Sequence, residues 1–169
     1  MSAAPETVPE IIAEPLTPEA FAPFGDVLDA TGAPDRIINR GLCGRFHDRA
    51  RLDFEGGRAG ISIFQAEPRA LPYLCDLLER HPEGSQAFVP MTADPFLVIV
   101  APDAGGRPGA PRAFLTDGAQ AINLHRGTWH GVLTPLAAPG LFAVIDRIGP
   151  GANLEEVTLA PPILIRARG

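Results

Sequence analysis

The chain has four histidines, His47, His81, His125 and His130, and some of their neighbours are groups that can do chemistry. The densest cluster is Glu79-Arg80-His81, followed five residues later by Gln86. On a strand, Glu79 and His81 project to one side, and a return strand through Gln86 can bring a third polar group there. His130 closes the segment Gly127-Thr128-Trp129-His130, another short strand-like stretch after a turn glycine. These groups read either as a metal site of mixed nitrogen and oxygen ligands or as an acid/base set without metal. The same spacing also suits hydrogen-bonded or surface histidines on a β protein.

Arg45-Phe46-His47-Asp48 places a cation, an imidazole and a carboxylate within four residues. All 14 basic residues are arginine, so an anionic substrate must be held by arginine or by backbone N–H groups. Taken by itself, the segment reads first as a solvated edge strand. Asp146-Arg147, at the end of an apolar run, reads as a structural ion pair, and His125-Arg126 as an exposed pair before a turn. The lack of lysine excludes Schiff-base chemistry, a pyridoxal phosphate anchor and a phosphate-loop lysine. No Gly-x-Ser-x-Gly elbow is present, which excludes that serine-hydrolase arrangement.

The elements that must position these groups are short. Eighteen glycines and 19 prolines are spread through 169 residues, which breaks long helices and suits brief strands joined by turns. One helix is expected after Thr17 as N-cap, with Pro18 at its first position and Gly25 as terminator. β-type runs are expected at Gly60–Gln65, Ala87–Val89, Phe96–Ala101, Arg112–Thr116, Ala121–Leu124 and Leu141–Arg147. Periodicity leaves Leu71–His81 open between an amphipathic helix and a strand; as a strand, Tyr73, Cys75, Leu77, Glu79 and His81 would share one face. The fold class that follows is all-β with minor helix, a barrel or a sandwich.

Composition sets the boundaries. A length of 169 residues with 46% hydrophobic content fits a single domain over residues 1–169. A net charge of −6 argues against a nucleic-acid partner. Cys43 and Cys75 are too few for a disulfide framework. The longest apolar run, Pro95–Pro102, is too short for a membrane span, and Met1–Pro9 reads as a loose tail without signal-peptide character. A soluble cytoplasmic protein is expected.

Several segments, taken in order, resemble the ureidoglycolate lyase family of allantoin degradation. They are Phe21–Val27, Asn39–Leu42 with Arg45–Asp48, and above all Glu79–Pro90. Asn123, Gly127–His130, Ile145–Arg147, Asn153 and Glu156 complete the series. Where family members often read Trp-His-His-Pro, this chain has Trp129-His130-Gly131-Val132, which leaves His130 the only imidazole of that motif. The resemblance implies a cupin-like β-barrel, a homodimer, and cleavage of ureidoglycolate into glyoxylate and urea. It also implies a strand at Leu71–His81. It carries no fixed cofactor, since members are described both with and without a stimulating divalent metal.

The chemistry that the resemblance implies matches the residues at hand. Ureidoglycolate is a carbinolamine whose cleavage needs a base for the hydroxyl proton, an acid for the departing nitrogen and a cation for the carboxylate. Glu79, His81 and His130 are expected to carry the protons, with His81 and His130 sharing the acid and base roles. Arg45, His47, Arg126 and Arg147 are the candidates for holding the carboxylate, Gln86 for orienting the ureido group and Trp129 for walling the pocket. The alternatives are an ammonia-releasing ureidoglycolate amidohydrolase, a non-catalytic small-carboxylate-binding cupin, and a metal-dependent cupin oxygenase or isomerase.

Overall fold

The computed structural model describes residues 7–169; of the expected N-terminal tail, residues 1–6 lie outside the described part. In chain order the strands are β1 (Glu10–Ile12), β2 (Glu14–Pro15), β3 (Gly25–Leu28), β4 (Arg36–Ile38) and β5 (Cys43–Arg45). They continue as β6 (Arg58–Gln65), β7 (Tyr73–Arg80), β8 (Gln86–Pro90), β9 (Phe96–Ala101) and β10 (Arg112–Leu115). The last five are β11 (Ala121–Leu124), β12 (Trp129–His130), β13 (Thr134–Pro135), β14 (Leu141–Ile148) and β15 (Glu155–Arg166). A four-residue helix, α1 (Pro18–Phe21), follows Thr17, whose hydroxyl accepts from the Ala20 N–H at 3.2 Å. The helix stops well before Gly25, which opens β3 instead. A Cβ on Gly25 would lie 2.0 Å from the Asn123 carbonyl oxygen, so the tight pairing of β3 with β11 requires glycine.

The larger sheet runs β1-β15-β7-β12-β9-β10-β2, with β13 also pairing β9. Its first and last strands are separated in the chain only by Ala13. The Ala13 N–H donates to Arg166 on one side, and the Leu16 N–H to Leu115 on the other. The sheet therefore nearly closes on itself, the barrel expected of a cupin-like fold. Ala13, Cys75, Leu78, Leu97, Ile99, Ala101, Ala113, Trp129 and Ile165 fill its interior.

A second sheet, β3-β11-β8-β14-β6, packs on the outside of this barrel. Phe88, Ile122, Leu124, Phe142 and Val144 from that sheet meet Phe96, Val98, Val100 and Phe114 of the barrel in a second apolar layer, the seam. β9 is buried along its whole length because it is the wall between the two cores. Leu97, Ile99 and Ala101 face the barrel, and Phe96, Val98 and Val100 face the seam. Alternation on one strand thus serves two cores, which explains an apolar run with no polar face.

Leu71–His81 is extended as β7, as the resemblance implies. Its faces differ from the simple alternation expected. Cys75 and Leu78, three residues apart, both enter the barrel core, opposite a register break in β15 between Thr158 and Ile163. A bulge in one strand re-aims the side chains beside it. Beyond the break Leu78 and Arg80 lie on the barrel side, and Glu79 turns to the seam. The long β15 was hidden by Pro161-Pro162, which argue against a strand from sequence but fall at this irregularity.

Leu78 is fully buried between the barrel's strands. Leu78→Ala should cost about 2–5 kcal/mol. Urea denaturation should show a lower midpoint with an unchanged slope, since the loss is packing rather than a change of folded surface.

Candidate active site

β12 is only two residues long, and it separates its side chains cleanly. Trp129 enters the barrel core, where its indole N–H donates to Asp103 at 3.0 Å and the Arg80 guanidinium lies over its ring. His130 points the other way, into the seam, with its ring 6.4 Å from that of Phe88 on the second sheet. In register, His130 lies opposite Glu79 on β7, and Glu79 lies opposite Glu156 on β15. The result is a polar row Glu156–Glu79–His130 across three adjacent strands. His81, just past the end of β7, completes the group, its ring 5.3 Å from that of His130.

Backbone carbonyls set the tautomers of both imidazoles. His81 Nδ1 donates to the Asn153 carbonyl at 2.7 Å, and His130 Nδ1 to the Gly131 carbonyl at 2.9 Å. A carbonyl only accepts, so Nδ1 holds the proton and Nε2 carries a bare lone pair in each neutral ring. Both Nε2 atoms are buried and without a partner among the described residues. One ligand atom from each of Glu79, His81 and His130 lies within 4.8 Å of the others.

Burial sets the electrostatics. His130 is 3% exposed, and its desolvation drops the pKa to about 4, so the ring is neutral at ordinary pH. The Glu79 carboxyl is pushed up, chiefly by burial; His81 partly opposes the shift and Glu156 adds to it. A carboxyl raised towards neutrality beside bare imidazole nitrogens can exchange protons with a bound molecule. The same donor set suits a divalent cation: two imidazoles already in the metal-binding tautomer and one carboxylate, each steered by its own strand or loop.

The second sheet contributes Gln86, on the same face of β8 as Phe88. Its amide donates to Asp146 at 3.3 Å, leaving a buried Oε1 without a partner. Asp146 therefore faces inward with Gln86 rather than pairing with Arg147. Arg147 lies on the opposite face of β14, where its guanidinium donates to the carbonyls of Glu55, Gly56 and Pro150 and pairs with Glu83 at 3.1 Å. Arg126 is likewise committed, to the Pro82 carbonyl and the Glu55 carboxylate. His125 bonds Asp26 at 3.1 Å.

The structure thus brings Glu79, His81 and His130 together and sets Gln86 on the facing sheet. Five candidates take other places. Trp129 is a core residue of the barrel and does not line the cluster. Arg126 and Arg147 fasten loops. Arg45 and His47 are exposed on and beside a separate two-stranded hairpin, β4–β5. Sequence reasoning missed Asp146 as an inward group and the Asn153 and Gly131 carbonyls as tautomer anchors. Backbone acceptors leave no trace in residue identity. Larger clefts lie elsewhere on the surface, one of about 600 Å³ lined by Phe46 and Arg49 and one of about 780 Å³ beside Asp26 and His125. Neither gathers bare proton-accepting groups as the Glu79 cluster does.

A nearly closed barrel that sets two lone-pair imidazoles and a carboxylate between itself and a second sheet defines a cupin-like enzyme acting on a small molecule. The profile of the ureidoglycolate lyase family matches residues 8–166, and the chain belongs to that family. It is 62% identical to the ureidoglycolate lyase of Rhodobacter capsulatus over 156 residues, covering 92% of this chain and 97% of the relative. The ureidoglycolate lyase of a Chelativorans species is 52% identical over 90% of this chain and 94% of its own length. For ureidoglycolate lyase 2 of Rhizobium meliloti the figures are 50%, 84% and 88%.

Because the folded protein holds His130 neutral while the unfolded ring binds a proton below about pH 6.5, folding excludes a proton between about pH 6.5 and 4. Stability is therefore lost as pH falls through that window. Wild type should lose on the order of 3 kcal/mol more than His130→Gln between about pH 7 and 4, by urea denaturation.

Proposed function

We propose that this protein is a ureidoglycolate lyase, splitting ureidoglycolate into glyoxylate and urea in allantoin and purine catabolism. The observation that carries the reading is the convergence of Glu79, His81 and His130 with bare Nε2 atoms, in a chain of the ureidoglycolate lyase family. The reaction moves one proton from the substrate hydroxyl to the departing ureido nitrogen while the carbon–nitrogen bond breaks and the carbonyl forms. It needs no nucleophilic side chain, which agrees with a chain that has no lysine.

His81, only partly buried, takes the hydroxyl proton on Nε2. Glu79, whose carboxyl is raised by burial, hands a proton to the leaving nitrogen. His130, kept neutral by burial, accepts a hydrogen bond and fixes the substrate against the seam. Gln86 Oε1 accepts from a ureido N–H, and the Asp146 carboxylate holds the Gln86 amide so that this oxygen faces inward. A divalent metal, where bound, would be held by Glu79, His81 and His130 and would polarise the substrate oxygens as a Lewis acid.

Residues 1–169 act as one domain in this reading, and the protein works as a cytoplasmic homodimer. Support for the compartment comes from two free cysteines, Cys43 and Cys75, and from the lack, among the described residues, of a helix long and apolar enough to cross a membrane. The net charge of −6 fits a small-molecule substrate better than a nucleic-acid partner.

The direct test incubates metal-stripped protein with ureidoglycolate and assays glyoxylate, urea and ammonia separately. Glyoxylate and urea in equal amounts are expected; ammonia in place of urea would identify an amidohydrolase. His81→Ala and Glu79→Gln should each lower kcat/KM by about 10²-fold or more with melting temperatures little changed. Near-normal release of both products from the two folded variants would refute the proton-transfer assignment.

A further inference from the structure

The Glu79 cluster has an electrostatic gap. Beside the proton-carrying Glu79 stands the Glu156 carboxylate, and Asp146 adds a second carboxylate from the facing sheet. His130, kept neutral by burial, offers a lone pair rather than positive charge. Every arginine near by is spent: Arg80 on Glu155 and Asp103, Arg126 on Glu55, Arg147 on Glu83 and three carbonyls. An anionic substrate entering such a site meets like charge and finds no uncommitted guanidinium to hold its carboxylate.

The β4–β5 hairpin shows the complementary defect. Among the described residues its two three-residue strands pair only with each other, an arrangement that is marginal in water by itself. It nonetheless exposes Leu42 at 89% and Ile37 at 61%, around a turn in which Asn39 and Arg40 take left-handed φ of 52° and 57°. Its base is clamped, because the Asp35 carboxylate accepts from the His47 N–H at 2.8 Å and from Arg49 at 3.0 Å. Arg36 and Arg45 lie directly opposite one another, and neither guanidinium has a partner among the described residues. Like charges in such a pair repel, and two unpartnered guanidiniums side by side suit an anion bound between them. None of the chain's 20 acidic residues falls between Arg36 and Arg45, so the hairpin is a basic arm on an acidic body.

A landing surface for that arm is present on the same molecule. Ile61 and Ile63 on β6, the edge strand of the second sheet, are 74% and 59% exposed. Gly60, next to Ile61, lies opposite Asp146 in register; the isoleucines stand on the outer face of this edge and Asp146 on its inner face, so an arm seated on them must wrap the β6 edge to bring its arginines to the cluster.

We infer that the β4–β5 arm docks on a second copy of this chain and that its Arg36–Arg45 pair supplies, in trans, the cation that holds the substrate carboxylate. The substrate's identity here rests on the lyase reading above; the arm's docking does not. The partner copy is the occupant because the arm's basic charge and apolar tip match the acidic cluster and the exposed isoleucines of this same chain.

The test begins with light scattering, which should find wild type dimeric and Leu42→Glu monomeric; a monomeric wild type would overturn the inference. The Arg36→Ala/Arg45→Ala variant should stay folded and dimeric, with KM for ureidoglycolate raised about 10-fold or more. It is then co-expressed with His130→Ala under a second tag, and the mixed dimer is isolated through both tags. In trans, one site of the mixed dimer is complete, and about half the wild-type rate should return at low substrate. If the arm serves its own chain, neither site is complete and the mixed dimer stays as poor as its parents, which would overturn the inference, as would an unchanged KM in the arginine variant. A wild type that releases neither glyoxylate nor ammonia would refute the lyase reading instead. The arm would then be judged by Leu42→Glu and by calorimetric binding of glyoxylate, which the arginine variant must lose.

Discussion

The pairing of β7 with β15 on one side and β12 on the other is the constraint on which the rest depends. It aligns Glu156, Glu79 and His130 in one row and fixes which way each side chain points. A slip of one residue in that register would put Glu79 into the apolar barrel and Leu78 into the seam. The position is pinned from inside by Leu78 and Trp129, both buried in the barrel core. It is pinned at the rim by Arg80, which lies over the Trp129 ring and pairs with Glu155 and Asp103. Packing on the hidden face of β7 and β12 therefore orients the polar groups on the other.

Around that row, donors and acceptors are divided between two tasks. Arginines and amides fasten loops: Arg126 ties the Pro82 turn to Glu55, Arg147 gathers the Glu55–Gly56 and Pro150 backbones, and Asn153 holds the Glu83 N–H at 2.7 Å. What remains for a bound molecule is a set of acceptors: the Nε2 atoms of His81 and His130, Gln86 Oε1 and the carboxylates. Buried acceptors without partners are costly in a finished core, and they make sense where a ligand with N–H and O–H groups supplies the missing donors. Ureidoglycolate carries a hydroxyl and three ureido N–H hydrogens, which suits that deficit. Its carboxylate does not, and this is the charge that the unpartnered arginines of the arm fit.

Much of the architecture was legible in residue order. The runs at Phe96–Ala101, Ala121–Leu124 and Leu141–Arg147 are strands, with bounds shifted by at most a residue. Thr17-Pro18 opens the helix as its cap chemistry requires. The Glu79–Pro90 block marked both the cluster and the family. Strands with weak local signals were not legible. Glu10–Ile12 and Glu14–Pro15 are strands because they stitch the barrel's two edges together, and Glu155–Arg166 because β7 and β1 pair along it. Such pairings are long-range, and local propensity carries no record of them.

For the site, the sequence by itself determined the chemical inventory. A chain without lysine, with four histidines and a Glu79-x-His81 pair, carries the groups for proton transfer, metal binding and arginine-held anions but not for Schiff-base chemistry. Only the tertiary structure decided how that inventory is used. Trp129 and His130, adjacent in the chain, went to opposite cores because a strand alternates its faces. Cys75 and Glu79, expected on one face, parted because β15 breaks register opposite the stretch between them. Arg126 and Arg147 became fasteners, and Arg36 and Arg45 have no partner among the described residues, because a guanidinium's role is set by which carbonyls and carboxylates the fold brings within reach, and most of those lie tens of residues away in sequence.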